Sequence, residues 1–237
     1  MDSDDDVLQL PADTLKALEE FNSERDARAK HFEDLKVQSE SDFRNASGQL
    51  SMELFGEDWN QSQFWYTDDT AQKLARQLFD GAGPGDSIAV VSAPSVYIQL
   101  RNLLSTVPQS SQPSICLMEF DKRFEVFGDE FVFYDFASPL RLPSDFKGKF
   151  DRIICDPPFL SQDCQTKTAL TVRYLAKEWS PKLHFISCTG ERMEETITRI
   201  YSTLGVRTTT FEPQHSKGLS NEFRCYSNFE CNDWRWR

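Results

Sequence analysis

With 237 residues the chain is long enough to bury a full core in one α/β domain with an extension. A hydrophobic share of 39% and an aromatic share of 13% exclude a disordered chain. The formal charge of −12 leaves no basic footprint for a phosphate backbone, so stable nucleic-acid binding is not expected and a basic protein is the better partner.

Residues 1–10 form an acidic tail without the apolar stretch of a signal peptide. No run approaches the apolar length of a membrane span, so a soluble, monomeric, cytoplasmic protein is expected. From Asp13 onward Leu15, Leu18, Phe21, Phe32 and Leu35 mark the thin stripe of an amphipathic helix, and residues 38–50 read as a polar linker. The chain thus divides into an extension over 1–50 and a main domain over 51–237. Three consecutive rings follow, Phe64-Trp65-Tyr66. Aromatic clusters are usually core. Three in a row cannot all face inward from one strand, so some of them line a pocket.

A regular alternation then begins. Asp68 to Phe79 places Ala71, Leu74, Ala75, Leu78 and Phe79 on one helical face behind Thr67 as N-cap. Ser87–Val91 is a short buried strand, followed by Ser92-Ala93-Pro94-Ser95 and a helix carrying Val96, Leu100, Leu103 and Leu104. Further strands are expected over 115–120, 131–134, 150–155 and 183–188, with a helix across 163–177. Another helix near 191–204 ends at Gly205, and strands over 206–211 and 222–229 flank a polar loop. Strands separated by helices form βαβ units and a mostly parallel sheet. The last two strands have no helix between them and pair antiparallel. This is the Rossmann-like layout of the seven-stranded methyltransferase sheet, in which ligands sit at the carboxyl ends of the strands.

The six cysteines contain no CxxC pair and the three histidines lie far apart, so no metal site is expected. Cys116, Cys155 and Cys188 fall in apolar runs and read as small buried hydrophobes.

At the fourth strand's end stands Asp156-Pro157-Pro158-Phe159. Two prolines stop a strand and make a turn in any protein. The tetrapeptide also matches the Asp-Pro-Pro-aromatic signature of methyltransferases that modify nitrogens, and its chemistry suits them. Prolines fix a backbone carbonyl as an acceptor beside the carboxylate, and two acceptors orient an amine. The ring packs on substrate or near a sulfonium. These four are the candidate catalytic residues.

The first strand ends in Ser92-Ala93-Pro94-Ser95, either a helix cap or a loop small enough to admit a cofactor. Glu119 and Asp121 close the second strand, where a carboxylate accepts ribose hydroxyls; Glu119 is favoured over Asp121. Asp135 and Phe136 follow the third strand and suit an adenine edge and face, or a simple turn. With Phe64, Trp65 and Tyr66 these make the candidate cofactor-binding set. His215-Ser216-Lys217 and Ser220 to Arg224 read as a solvated loop, with the rim of a substrate channel as the alternative.

With these residues assembled, the chain resembles the elongation factor 1-alpha lysine methyltransferase family, whose members first bore the name of adenine-specific DNA methyltransferases. The stretches that carry the resemblance are Gln63 to Tyr66, Val91 to Tyr97, Glu119 to Phe124, Asp156 to Phe159 and Asn221 to Tyr226. The glycine-free Ser-Ala-Pro-Ser loop is usual in that family, and Phe159 stands where relatives often have Tyr. The resemblance implies S-adenosylmethionine as cofactor and a lysine of elongation factor 1-alpha as acceptor. The rival readings are methylation of an adenine amino group in DNA or RNA, which the same tetrapeptide serves, and a catalytically inactive scaffold of this fold.

Overall fold

The computed structural model describes residues 50–52, 55, 64–217 and 222–237, with positions 14, 16, 18, 20–23, 27, 30, 34, 37 and 41 before them. The acidic tail, most of the expected linker, and Gln63, Ser220 and Asn221 lie outside the described residues. The described positions between 14 and 41 are helical, and Leu18, Phe21 and Val37 among them are exposed.

Thr67 caps helix α1 (Asp68–Phe79) by accepting from the Thr70 amide at 3.3 Å. Strand β1 (Ser87–Val91) is buried at every residue, as a central parallel strand must be. Helix α2 (Pro94–Ser105) begins with Pro94 at its first turn, where a missing N–H costs nothing. There follow β2 (Ser114–Glu119), β3 (Phe131–Phe133), β4 (Arg152–Cys155), α3 (Gln162–Leu175), β5 (His184–Gly190), α4 (Glu194–Ile200), β6 (Arg207–Thr208) and β7 (Phe223–Ser227).

The seven strands form one sheet in the order β3-β2-β1-β4-β5-β7-β6. The first five are parallel, and β7 runs antiparallel between β5 and β6. In register, Val91 lies beside Met118 on one side and Cys155 on the other, so β1, β2 and β4 finish together at one edge. The period of two along β1 builds both faces of the core. Ile88 and Val90 pack with Leu74, Leu78, Val96 and Leu100 of α1 and α2, and with Phe55, Trp65 and Phe124. Ala89 and Val91 pack on the other face with Val172, Leu175 and Ile197 of α3 and α4, and with Phe150 and Tyr201.

Two expectations need correction. The helix over 191–204 is three pieces, with 3-10 turns at Glu191–Met193 and Ser202–Leu204 flanking α4. Gly205 still ends it, at φ 77°, the left-handed conformation glycine tolerates. The sixth strand is two residues rather than six, because its pairing with β7 becomes irregular after Thr208. The Thr209 amide donates to the Cys225 carbonyl at 2.9 Å and the Phe211 carbonyl accepts the Cys225 amide at 3.3 Å, while the Thr210 amide donates to the Arg235 carbonyl of the C-terminal segment at 2.7 Å. Trp234 is buried against Phe211 and Phe229, so that segment packs back on the domain. Among the described residues, no helix is long and apolar enough to cross a membrane.

Candidate active site

The carboxyl ends of β1, β2, β3 and β4 surround a cavity of about 500 Å³, within the size range of small-molecule sites. Each wall follows from a local feature of the chain.

The β1 wall is Ser92 to Ser95. Ser92 sits at φ 55°, a conformation glycine adopts freely and serine adopts at a cost of about 1–2 kcal/mol. Its amide donates to the Met118 carbonyl at 2.9 Å, which helps hold it there. A backbone normally bent by glycine is here bent by a strained serine. Ala93 precedes α2 without a side-chain cap, and Ser95 Oγ instead accepts the Tyr66 amide at 3.2 Å. The aromatic segment is thereby tied to the loop, and Phe64, Trp65 and Tyr66 all line the cavity.

On the β2 wall Glu119 is buried, and its Oε1 accepts the amides of Phe120 and Asp121 at 2.9 and 3.3 Å. Its remaining lone pairs are left for donors in the cavity. Burial first, and then the charge of Asp121, push its carboxyl up to about 7. Asp121 does not line the cavity, contrary to its place in the expected cofactor-binding set. Its carboxylate lies behind Glu119 in a fully buried pair with Arg123, 2.6 Å from Nη2 and 2.8 Å from Nε. A carboxylate so deep is stable only when paired, which is why it turns away. Beyond β3, Asp135 and Phe136 do line the cavity.

The β4 wall is Asp156 to Phe159. The Asp156 amide continues the sheet to the Val91 carbonyl at 3.0 Å, which fixes where the two prolines begin. Asp156 Oδ2 accepts the Tyr66 hydroxyl at 2.6 Å. Burial pushes the Asp156 carboxyl up to about 7, against the lowering effect of that hydrogen bond. Phe159 is 45% exposed at the mouth and meets the edge of Phe136, ring centroids 5.3 Å apart. Its carbonyl accepts Gln165 Nε2 at 3.3 Å, and Ser161 caps α3 through the Cys164 amide at 3.2 Å.

The structure therefore brings together every expected site residue except Asp121. It adds Phe120, Tyr134, His215 and Phe223. His215 comes from the segment read as a solvated loop; it bridges to Tyr66, packs on its ring at a 41° tilt with centroids 4.8 Å apart, and meets the Phe223 ring edge at 4.6 Å. Of these residues, His215 and Phe223 line the cavity. A lone histidine and phenylalanine in a polar stretch were the available signal.

These walls offer acceptors, ring faces and a helix N-terminus around one cavity, with a proline-fixed turn beside a carboxylate. Residues 57–231 match the family described as "Probable N6-adenine methyltransferase". Protein-lysine N-methyltransferase EFM5 of Saccharomyces cerevisiae is 47% identical over 95% of this chain and 94% of its own. EEF1A lysine methyltransferase 1 of Gallus gallus is 43% identical over 96% of this chain and 97% of its own. The chain belongs to the EEF1A lysine methyltransferase 1 family. A branched-chain polyamine synthase from Thermus thermophilus shares the fold, with a TM-score of 0.50 at 10% identity over 82% of this chain and 65% of its own. Membership in this family makes the chain a methyltransferase with S-adenosylmethionine as its cofactor.

Proposed function

We propose that the chain is a protein-lysine N-methyltransferase that moves a methyl group from S-adenosylmethionine to a lysine of elongation factor 1-alpha, with residues 51–237 as its catalytic domain. The observation that carries the site is the placement of Asp156-Pro157-Pro158-Phe159 on one wall of a cavity whose other walls suit the cofactor. The names of the relatives supply the acceptor.

The residues present fit S-adenosylmethionine. Glu119 offers a buried acceptor for hydroxyls, and Phe64, Trp65 and Phe136 offer ring faces for a purine and a sulfonium. Ser92 to Ser95 present the N-terminus of α2 to a carboxylate. When bound, this group supplies an electrophilic methyl carbon on sulfur.

The chain's own task is to deliver a neutral, oriented amine. A lysine with a pKa near 10.4 loses its proton at pH 7 at a cost of about 4–5 kcal/mol. An enclosed cavity disfavours the ammonium and offsets part of this. An ordinary carboxylate at Asp156 would oppose that effect by holding the charge. A carboxyl raised to about 7 holds it less, so Asp156 orients the amine through acceptor geometry without pinning its proton.

Incubation with labelled S-adenosylmethionine and lysate, followed by nuclease or protease, separates the acceptors. Label that survives nuclease and is lost to protease supports lysine, and mass spectrometry then identifies the protein. The reverse result points to adenine. Asp156→Asn is expected to lower turnover about a hundredfold, the scale of a positioned proton-handling group. Full turnover of that variant across pH would remove Asp156 from the mechanism.

A further inference from the structure

Tyr66 stands on the cavity wall 90 residues upstream of Asp156, yet its hydroxyl is the side-chain donor to that carboxylate at 2.6 Å. The phenol is itself held in three ways. Its backbone amide donates to Ser95 Oγ at 3.2 Å, its backbone bridges to His215, and its ring packs at a tilt against the His215 ring. A side chain so constrained is 4% exposed and has one arrangement available. The carboxylate it touches has a fixed backbone, since the Asp156 amide is bonded to Val91 and a proline follows. Oδ2 is therefore locked to the phenol, and the rotation of the whole carboxyl group is locked with it.

We infer that Tyr66 is a positioning residue for methyl transfer, acting through Asp156: it fixes the carboxyl so that Oδ1 is the oxygen presented to the acceptor nitrogen, and it favours the ionised form of that group. This rests on the proposed reaction and assigns Tyr66 a task other than cofactor contact. A phenol donates one hydrogen bond and accepts weakly, so it stabilises a carboxylate over a neutral acid. Burial works in the opposite direction, with the phenol itself kept protonated, its own ionisation pushed well above the ordinary range by burial. The other titratable groups facing Asp156 are Glu119 from β2, Cys188 from β5, Cys164 from α3 and its neighbour Cys155. Burial raises the Cys155 and Cys164 thiols, and the neighbouring Cys225 followed by burial raises Cys188, which leaves all three as neutral neighbours; Glu119 disfavours the charge on Asp156. The Tyr66 hydroxyl, by its hydrogen bond, lowers the Asp156 carboxyl against these effects.

Two measurements on Tyr66→Phe test this. The first needs no substrate: carboxyl carbon NMR of aspartate-labelled protein, with Asp156→Asn identifying the resonance. The midpoint of Asp156 is expected to rise by about one pH unit in Tyr66→Phe, the shift that a hydrogen bond to a charged group is worth. The second is the rate profile from pH 6 to 9 on elongation factor 1-alpha. Turnover is expected to fall about tenfold to a hundredfold with KM for the protein little changed, and the acidic limb is expected to move up with the midpoint. An unmoved midpoint, or wild-type turnover at every pH, overturns the assignment. A wild-type enzyme that leaves elongation factor 1-alpha unmethylated sinks the proposed reaction instead, and the titration still decides whether Tyr66 sets the state of Asp156.

Discussion

Two acidic residues two positions apart, Glu119 and Asp121, take opposite parts, and the difference lies in what each carboxylate reaches. Glu119 spends one oxygen on two backbone amides and keeps a face on the cavity. Asp121 is consumed by Arg123, both side chains being wholly inaccessible to solvent. A pair of that kind is a weak source of stability while intact and a large liability when halved. Asp121→Ala leaves the Arg123 guanidinium without this partner and is expected to cost about 3–5 kcal/mol in urea unfolding. Because the Asp121 amide also holds Glu119 Oε1, the same variant is expected to weaken S-adenosylmethionine binding in calorimetry. Unchanged stability would mean that the pair is relaxed by rearrangement of the turn after β2. The sequence lists both acids at the strand end and says nothing about which one the neighbouring arginine claims.

At the scale of elements, what was legible was local. The bounds of α1 and β1 and the Thr67 cap follow from period, composition and capping chemistry within a few residues. The turn at Asp156-Pro157-Pro158 was legible for the same reason. What was not legible depends on partners far along the chain. The insertion of β7 between β5 and β6 decides that Phe223 meets His215, which in turn meets Tyr66, and no local period encodes that order. The short β6 likewise reflects a partner far along the chain, Cys225, whose carbonyl accepts the Thr209 amide and whose amide donates to the Phe211 carbonyl, so that the ladder loses its regular step. Helix α3 shows how a local device serves the site. Its cap residue, Ser161, closes the turn that carries Phe159, and Gln165 one turn later ties the Phe159 carbonyl to Thr189 of β5. Ser161→Ala is expected to cost about 1 kcal/mol in stability and to lower turnover more than a cap loss elsewhere. Thr67→Ala, at the N-terminus of α1, is the matched comparison for stability. Equal turnover in Ser161→Ala and wild type would show that the motif holds its shape without the helix behind it.

The whole molecule holds two carboxyls at one site, the half-buried Asp156 and the buried Glu119, both pushed up to about 7 by loss of solvent. Between the unfolded value of about 4 and that folded value, the native state binds more protons than the unfolded chain. Their contribution to stability is therefore fully present below about pH 4 and is lost as pH rises through 7, the reverse of a carboxylate held by an ion pair. Ligand binding runs the other way. Hydroxyl donors at Glu119 favour its ionised form, so S-adenosylmethionine is expected to bind more tightly as pH rises through about 7 and to expel protons when it binds near pH 6. Calorimetry at pH 6 in two buffers of different ionisation enthalpy reads the protons directly, and a parallel series of melting temperatures without ligand reads the folding side. Binding without proton release would mean that Glu119 is already ionised in the free protein, and the melting temperature would then lose its expected fall between pH 5 and 8 from this group. Glu119→Gln is expected to abolish the proton release and to remove the Glu119 share of the stability slope, leaving the share that belongs to Asp156.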